Sequence, residues 1–279
     1  MKTIAGFFTG GYTESDAMIL FLQRINSSIT FKQCCPNRPR RRKASADRPE
    51  LKDNVSGLTG QNLINYMYEY FEKYPDELRN CIGVLIEDDL DGKFYEEDEG
   101  PPKTRKAKKN IEYYNYIKDV EENVRQRLNK EEDFLVIQLY AAPEIEAWMI
   151  SDWENSFGKI YGPHNMNILT AHENSFFSTL FRGYVKDRIL MQYKDSIEEY
   201  GYFGCEYRKM SDELISGLQE FKVEMSENTE TEKKIKYNQN IYYSKQLHGD
   251  VILRELNPDL LVDKCPRYFA EVYRQIKAV

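Results

Sequence analysis

The chain has 279 residues, 41% hydrophobic and 30% charged, enough for one large domain or two small ones with a sizeable core. A formal net charge of -7 and a pI of about 5.3 argue against a protein that coats nucleic acid non-specifically, and no apolar run approaches the ~20 residues of a membrane span. Five cysteines without a CxxC pair, and three separated histidines, give no zinc-ligand spacing. The odd cysteine count, and a start (MKTIAGFFTGGYTE) too short and interrupted for an export signal, lead to the expectation of a reducing cytoplasm.

Residues 2–8, KTIAGFF, read as a first strand. Gly10 and Gly11 allow a tight turn. Thr13 is placed to cap a helix, with Glu14 and Asp16 in its first turn, where negative charge is favoured. Met18, Phe21, Leu22 and Ile25 follow at helical spacing. Ile29 to Phe31 suggest a second short strand. The stretch QCCPNRPRRRKASADRPELKDN, with three prolines and the cluster Arg38, Arg40, Arg41, Arg42 and Lys43, reads as an exposed loop. A helix is expected from about Leu58 to Tyr74, with Leu63, Met67, Tyr70 and Phe71 inward. Pro75 and Asn80 lie in the break after it.

The stretch that organises the rest is CIGVLIEDDLD, Cys81 to Asp91. Its apolar run, Ile82 to Ile86, reads as a buried parallel strand that stops at Glu87, Asp88, Asp89 and Asp91. In open α/β sheets ligands bind beyond the carboxyl ends of the strands. So many like charges together need cations to offset them, and a hard divalent ion prefers carboxylate oxygens. The competing reading is a solvated acidic turn.

After Asp91, Gly92 opens a polar excursion, read as a mobile loop. It holds Glu96, Glu97, Asp98 and Glu99, then Pro101-Pro102, then Lys103, Arg105, Lys106, Lys108 and Lys109. Ile117, Val120, Val124 and Leu128 mark a long helix, and Phe134 to Tyr140 a further buried strand. Strands alternating with helices imply a parallel sheet with right-handed crossovers. In APEIEAWMISD, Pro143 suits a helix start. Ile145, Trp148 and Met149 would face inward, and Glu144 and Glu146 read first as N-terminal helix charges. Residues 151 to 225 are expected to be mostly helical, 224 to 240 a loop, and the end helical again through Val251, Leu253, Leu256, Leu260-Leu261 and Tyr268 to Ile276. The division expected is an α/β domain over 1–150 and a helical extension, packed on it, over 151–279.

Three blocks, FFTGGYTESDAMILFL, IGVLIEDDLDG and APEIEAWMISD, supported by the tail YSKQLHGDVILRELNPDLLVDKCPRYFAEVYRQI, resemble a bacterial and phage Toprim-like family. PEIEAWMISD is the most distinctive piece. The resemblance implies a Rossmann-like parallel sheet flanked by helices. It also implies a site in which an acid after the first strand and an Asp-x-Asp after a later one hold Mg²⁺ or Mn²⁺ for phosphodiester cleavage, as in the Toprim domains of OLD-family nucleases. It further implies DNA or RNA as substrate and an anti-phage defence setting beside a separate ABC- or AAA-type ATPase. Oligomeric state is left open, a homodimer included.

Carried over, Glu14 matches the second acid of the turn. Asp89 and Asp91 match the Asp-x-Asp, with Glu87-x-Asp89 as the other register, and Glu144 and Glu146 match the later helix. Glu14, Asp89 and Asp91 are then the catalytic candidates, and Glu14, Glu87, Asp88, Asp89, Asp91, Glu144 and Glu146 the metal candidates. The basic runs, chiefly Arg38, Arg40, Arg41, Arg42, Lys43, Lys103, Arg105 and Lys106, with Lys245 from the tail, are the nucleic-acid candidates, because each phosphate contact releases counterions. One departure matters: Gly10 stands where the family pattern has the turn's first glutamate. It motivates an alternative, a degenerate subunit that binds a partner ATPase or senses a phage component. No GxxxxGK[ST] loop is present, so ATP binding by a P-loop is not expected.

Overall fold

A computed structural model describes residues 2–36, 57–90, 93–97, 104–107, 111–160, 181–192, 197–199, 202–203, 206–207, 209–227 and 242–279. Its centre is a four-stranded, all-parallel sheet in the order β2-β1-β3-β6: β1 (Lys2–Phe8), β2 (Ile29–Cys35), β3 (Gly83–Asp89) and β6 (Leu135–Ala141). The fold is α/β and Rossmann-like, and the part after β6 is mainly helical.

The chain first moves outward from β1 to β2 through α1 (Tyr12–Ile25). It then reverses to β3 through α2 (Gly60–Lys73) and α3 (Pro75–Leu78), and reaches β6 through α4 (Ile111–Leu128). Right-handed crossovers in opposite directions put α1 on one face and α2 with α4 on the other. The strand order therefore reverses between β1 and β3, and a crevice opens there.

The strands show why the two faces differ. Ile4 and Phe8 of β1, Leu85 of β3 and Ile137 and Leu139 of β6 enter one core with Met18, Phe21, Leu22 and Ile25 of α1. Ala5, Phe7, Val84, Ile86 and Val136 enter the other with Leu63, Met67, Tyr70 and Phe71 of α2 and Val120 and Val124 of α4. This is the period of two that a strand imposes. The first core continues into α5 (Glu146–Ser151), a 3₁₀ turn at Trp153–Asn155 and α6 (Phe157–Ile160). It takes in a π-turn at Gly183–Asp187, α7 (Arg188–Gln192), α8 (Met210–Glu227), α9 (Lys245–Glu255), α10 (Pro258–Lys264) and α11 (Phe269–Ala278). Trp148 is fully buried there, stacked on Phe21 at 5.5 Å between ring centroids and edge-on to Phe269. Arg24 of α1 donates to the carbonyls of Leu253 and Arg254, which closes the end of α9.

Buried Glu198 fixes the start of α11. Its carboxylate accepts from the backbone N–H groups of Arg267 (2.6 Å), Tyr268 and Phe269 (both 3.0 Å). These are donors a helix start leaves without partners. Glu198→Ala is expected to cost about 3 kcal/mol in urea unfolding, the upper end for leaving buried donors unmade.

Several boundaries differ from the sequence reading. β2 runs on to Cys35, because Gln33 and, past a bulge, Cys35 still pair with β1. Helix α1 begins at Tyr12 with Gly11 as N-cap, not Thr13. Pro75 starts the one-turn helix α3 rather than lying in a break. Pro143 does not start a helix: α5 begins at Glu146. The excursion after Asp91 is not simply a loop, for β4 (Tyr95–Glu97) pairs antiparallel with β5 (Thr104–Ala107). A small sheet is completed by β7 (Tyr202–Phe203) and β8 (Glu206–Tyr207). Its partner strand lies about a hundred residues away, so no local pattern announces it. Helix α8 extends to Glu227, past the expected loop start. Of the apolar residues that marked the C-terminal helices, Val251 and Leu260 are exposed, while Leu253, Leu256 and Leu261 are buried.

Candidate functional site

The acidic stretch is not a turn. β3 continues through Glu87, Asp88 and Asp89, which pair with Leu139, Tyr140 and Ala141 of β6. Strand alternation then sorts the acids. Glu87 and Asp89 take the face of Leu85, towards α1 and α9. Asp88 takes the face of Ile86, where its Oδ2 accepts from Gly60 N (2.9 Å) and Lys93 Nζ (2.6 Å). Asp88, expected among the metal candidates, thus turns away from its two neighbours. Asp91 lies outside the described residues.

Glu87 and Asp89 open into a small pocket, of about 30 Å³, at the reversal between β1 and β3. Thr9, Gly10, Glu14, Ser15 and Lys245 line its polar side, and Phe8, Met18, Ile145, Met149 and Leu253 its apolar side. Glu87 Oε2 accepts from Thr9 N (3.1 Å) and Thr9 Oγ1 (3.2 Å). Glu14 is the third residue of α1. Its Oε2 accepts from Gly11 N at 2.7 Å, half of a capping box. Two glycines make room for that carboxylate: a Cβ on Gly10 would stand 2.9 Å from Glu14 Oε2, and one on Gly249 would stand 2.8 Å from Glu14 Oε1.

Asp89 joins the three remaining parts of the site. Its Oδ1 accepts from Ile145 N at 3.2 Å, and its Oδ2 accepts from Lys245 Nζ at 3.0 Å. The same ammonium lies 3.8 Å from Glu146 Oε2. Glu146 is fully buried. Its Oε1 accepts from Tyr243 OH at 2.8 Å, and its Oε2 has no hydrogen-bond donor. Glu144 is also buried; it accepts from Ser211 N at 3.2 Å and pairs with Lys209 Nζ at 3.8 Å. Glu146 opens α5 as a helix-start charge, but it is buried against Lys245 and Tyr243, while Glu144 is enclosed by Lys209 and Ser211.

Burial and crowding set the electrostatics. Burial pushes Glu87 up to about 8, with Asp89 adding to the shift. Burial, and then Glu146, push Glu144 up to about 7. Burial also raises Glu146, against the pull of Lys245. Lys245 is lowered by burial, but Asp89 and Glu146 more than reverse this, so its ammonium is held charged. A carboxyl whose folded pKa is raised binds its proton more tightly than in the unfolded chain. That stability is fully present below the unfolded value, near 4.5, and is lost as pH rises through the folded one. Metal-free protein is expected to melt at steadily lower temperature from pH 5 to pH 8. Glu87→Gln is expected to flatten that slope in a calorimetric pH series.

Among the described residues, no group of three or more His, Cys, Asp or Glu is already arranged to hold a metal ion. The donors nevertheless suit one. They are hard carboxylate oxygens, they outnumber the lysines beside them, and Glu146 Oε2 is a buried acceptor left without a donor. Glu14 and Glu87 are at present turned to backbone donors, and Lys245 stands between Asp89 and Glu146.

The basic candidates divide. Arg38, Arg40, Arg41, Arg42, Lys43 and Lys103 lie outside the described residues. Arg105 and Lys106 lie on β5, in register with Glu97 and Glu96. Lys245 is in the site. The sequence reading missed Thr9, Lys209, Tyr243 and Gly249. Lys245 and Gly249 carried a signal, being four apart on one helix and so sharing a face. The others are joined to the site only by the fold.

The chain matches no family model, no curated protein and no solved structure. No helix among the described residues is long and apolar enough to cross a membrane.

Proposed function

We propose that this chain is a Toprim-like, Mg²⁺- or Mn²⁺-dependent phosphodiesterase that cleaves DNA or RNA, in the defence setting with a separate ATPase that its sequence resemblance implies. The observation that carries the reading is the gathering of Glu14, Glu87, Asp89 and Glu146 with Lys245 at the crevice where the strand order reverses. Asp89 and Glu146 would hold the ion, with Glu87 and Glu14 on the adjoining wall. A bound divalent ion would supply charge neutralisation on the phosphoryl oxygens and a more acidic water. Glu87 lines the pocket, so once ionised its carboxylate is placed to accept a proton from an attacking water. Lys245, 44% exposed along its side chain, can meet a phosphate oxygen at the mouth. Incubation with labelled single- and double-stranded DNA and RNA in Mg²⁺ or Mn²⁺ tests this. Cleavage that EDTA stops supports it, and no cleavage of any substrate counts against it.

One observation favours the degenerate-subunit reading. Gly10 provides no acid, and Glu14 is bent back over it onto Gly11 N. An assembled complex with an ATPase that binds the chain tightly yet cleaves nothing would support that alternative.

A further inference from the structure

The site already contains a cation. Lys245 Nζ lies 3.0 Å from Asp89 Oδ2 and 3.8 Å from Glu146 Oε2, so one ammonium serves both carboxylates. Glu146 is fully buried, and that oxygen receives no hydrogen bond, so the ammonium offsets a charge that has lost its water. The lysine is held from behind. It opens α9, whose Ile252 and Leu253 are buried in the core against α1, and Tyr243, two residues earlier, is tied to Glu146. Its side chain is 44% exposed, so the way to solvent is open.

We propose that Lys245 is a tethered counter-cation that occupies the shared face of Asp89 and Glu146 in the metal-free protein and leaves it when a divalent ion binds. The inference rests on the metal reading above. A lysine is a compact charge on a flexible four-carbon stem. It can stand in for an ion without supplying an ion's several coordination positions. A second cation at the same carboxylates repels it. The metal-competent state is then only part of the population, and apparent affinity falls by that fraction. The ammonium would offset the repulsion between the carboxylates until an ion arrives. It would then move to the pocket mouth, where an anionic substrate enters.

Mn²⁺ titration calorimetry on the full chain, comparing native protein, Lys245→Met and Asp89→Asn, tests this. Lys245→Met keeps the length and removes the charge. It is expected to bind Mn²⁺ at least ~10-fold more tightly than native protein, the effect of restoring a competent state populated at a tenth. Asp89→Asn is expected to lose binding. Equal or weaker binding by Lys245→Met, beside a native chain that binds, overturns the counter-cation and leaves the metal site standing. No binding by either protein overturns the metal reading and this inference with it. A second readout uses the native chain alone: the rate of Lys245 acetylation by a water-soluble acylating reagent, followed by mass spectrometry. It is expected to rise when Mn²⁺ is added, and an unchanged or slower rate contradicts release. Should Lys245→Met not fold, the labelling decides.

Discussion

Asp89→Asn is expected to weaken Mn²⁺ binding at least ~100-fold and to remove metal-dependent cleavage, while the protein remains folded. Loss of an outer-shell partner alone costs metal sites about 10–100-fold, and Asp89 is proposed as a direct ligand. The fold should survive because Asn keeps an oxygen for Ile145 N, and because removing one of several crowded carboxylates relieves like-charge repulsion. The substitution also gives up the ion pair with Lys245, so metal-free Asp89→Asn is expected to melt close to native protein. That separates a ligand from a structural residue, whose loss would lower the melting temperature with or without metal. The adjacent Asp88→Asn is the natural control. Asp88 faces Gly60 and Lys93 across the sheet, so it is expected to keep its metal affinity. Calorimetric titration of the two variants side by side checks both statements.

Trp148→Ala is expected to be the most destabilising single change in the core. The indole is fully buried between Phe21 and Phe269, at the join of the sheet with the helices that follow β6. Truncating a buried Trp costs about 3–5 kcal/mol, a large share of the roughly 5–15 kcal/mol that holds a domain together. The melting temperature should fall by on the order of 10 °C. Trp148→Phe is expected to cost much less, because Nε1 has no hydrogen-bond partner to lose and the ring stack is kept. Scanning calorimetry of the two variants distinguishes them; equal losses would mean that packing at this position is not what the tryptophan supplies. Because α5 carries both Trp148 and Glu146, loosening the indole should also blur the Glu146 side of the site.

The sheet and its helices were legible in the sequence because each is a local pattern. The run from Ile82 to Ile86, the spacing of Met18, Phe21, Leu22 and Ile25, and the face formed by Leu63, Met67, Tyr70 and Phe71 all sit where their periodicities put them. The end of β3 was harder. Charge marks a boundary in most strands, but here the backbone ladder to β6 continues to Asp89 and carries Glu87 and Asp88 into the protein. The cost appears as raised pKa values rather than as a break in the strand. The burial of Glu144 and Glu146 was hidden for a related reason. Only Ser211, Tyr243 and Lys245, all from much later in the chain, reveal that these two are enclosed. The small sheet of β4, β5, β7 and β8 depends on pairing between residues about a hundred positions apart, which no window of sequence contains.

Manganese-edge anomalous diffraction from crystals of the native chain soaked in MnCl₂ tests the central claim most directly. A peak between Asp89 and Glu146, with the Lys245 ammonium moved away from both, is the predicted result. Manganese bound only elsewhere on the molecule, with Lys245 still on Asp89, would contradict it.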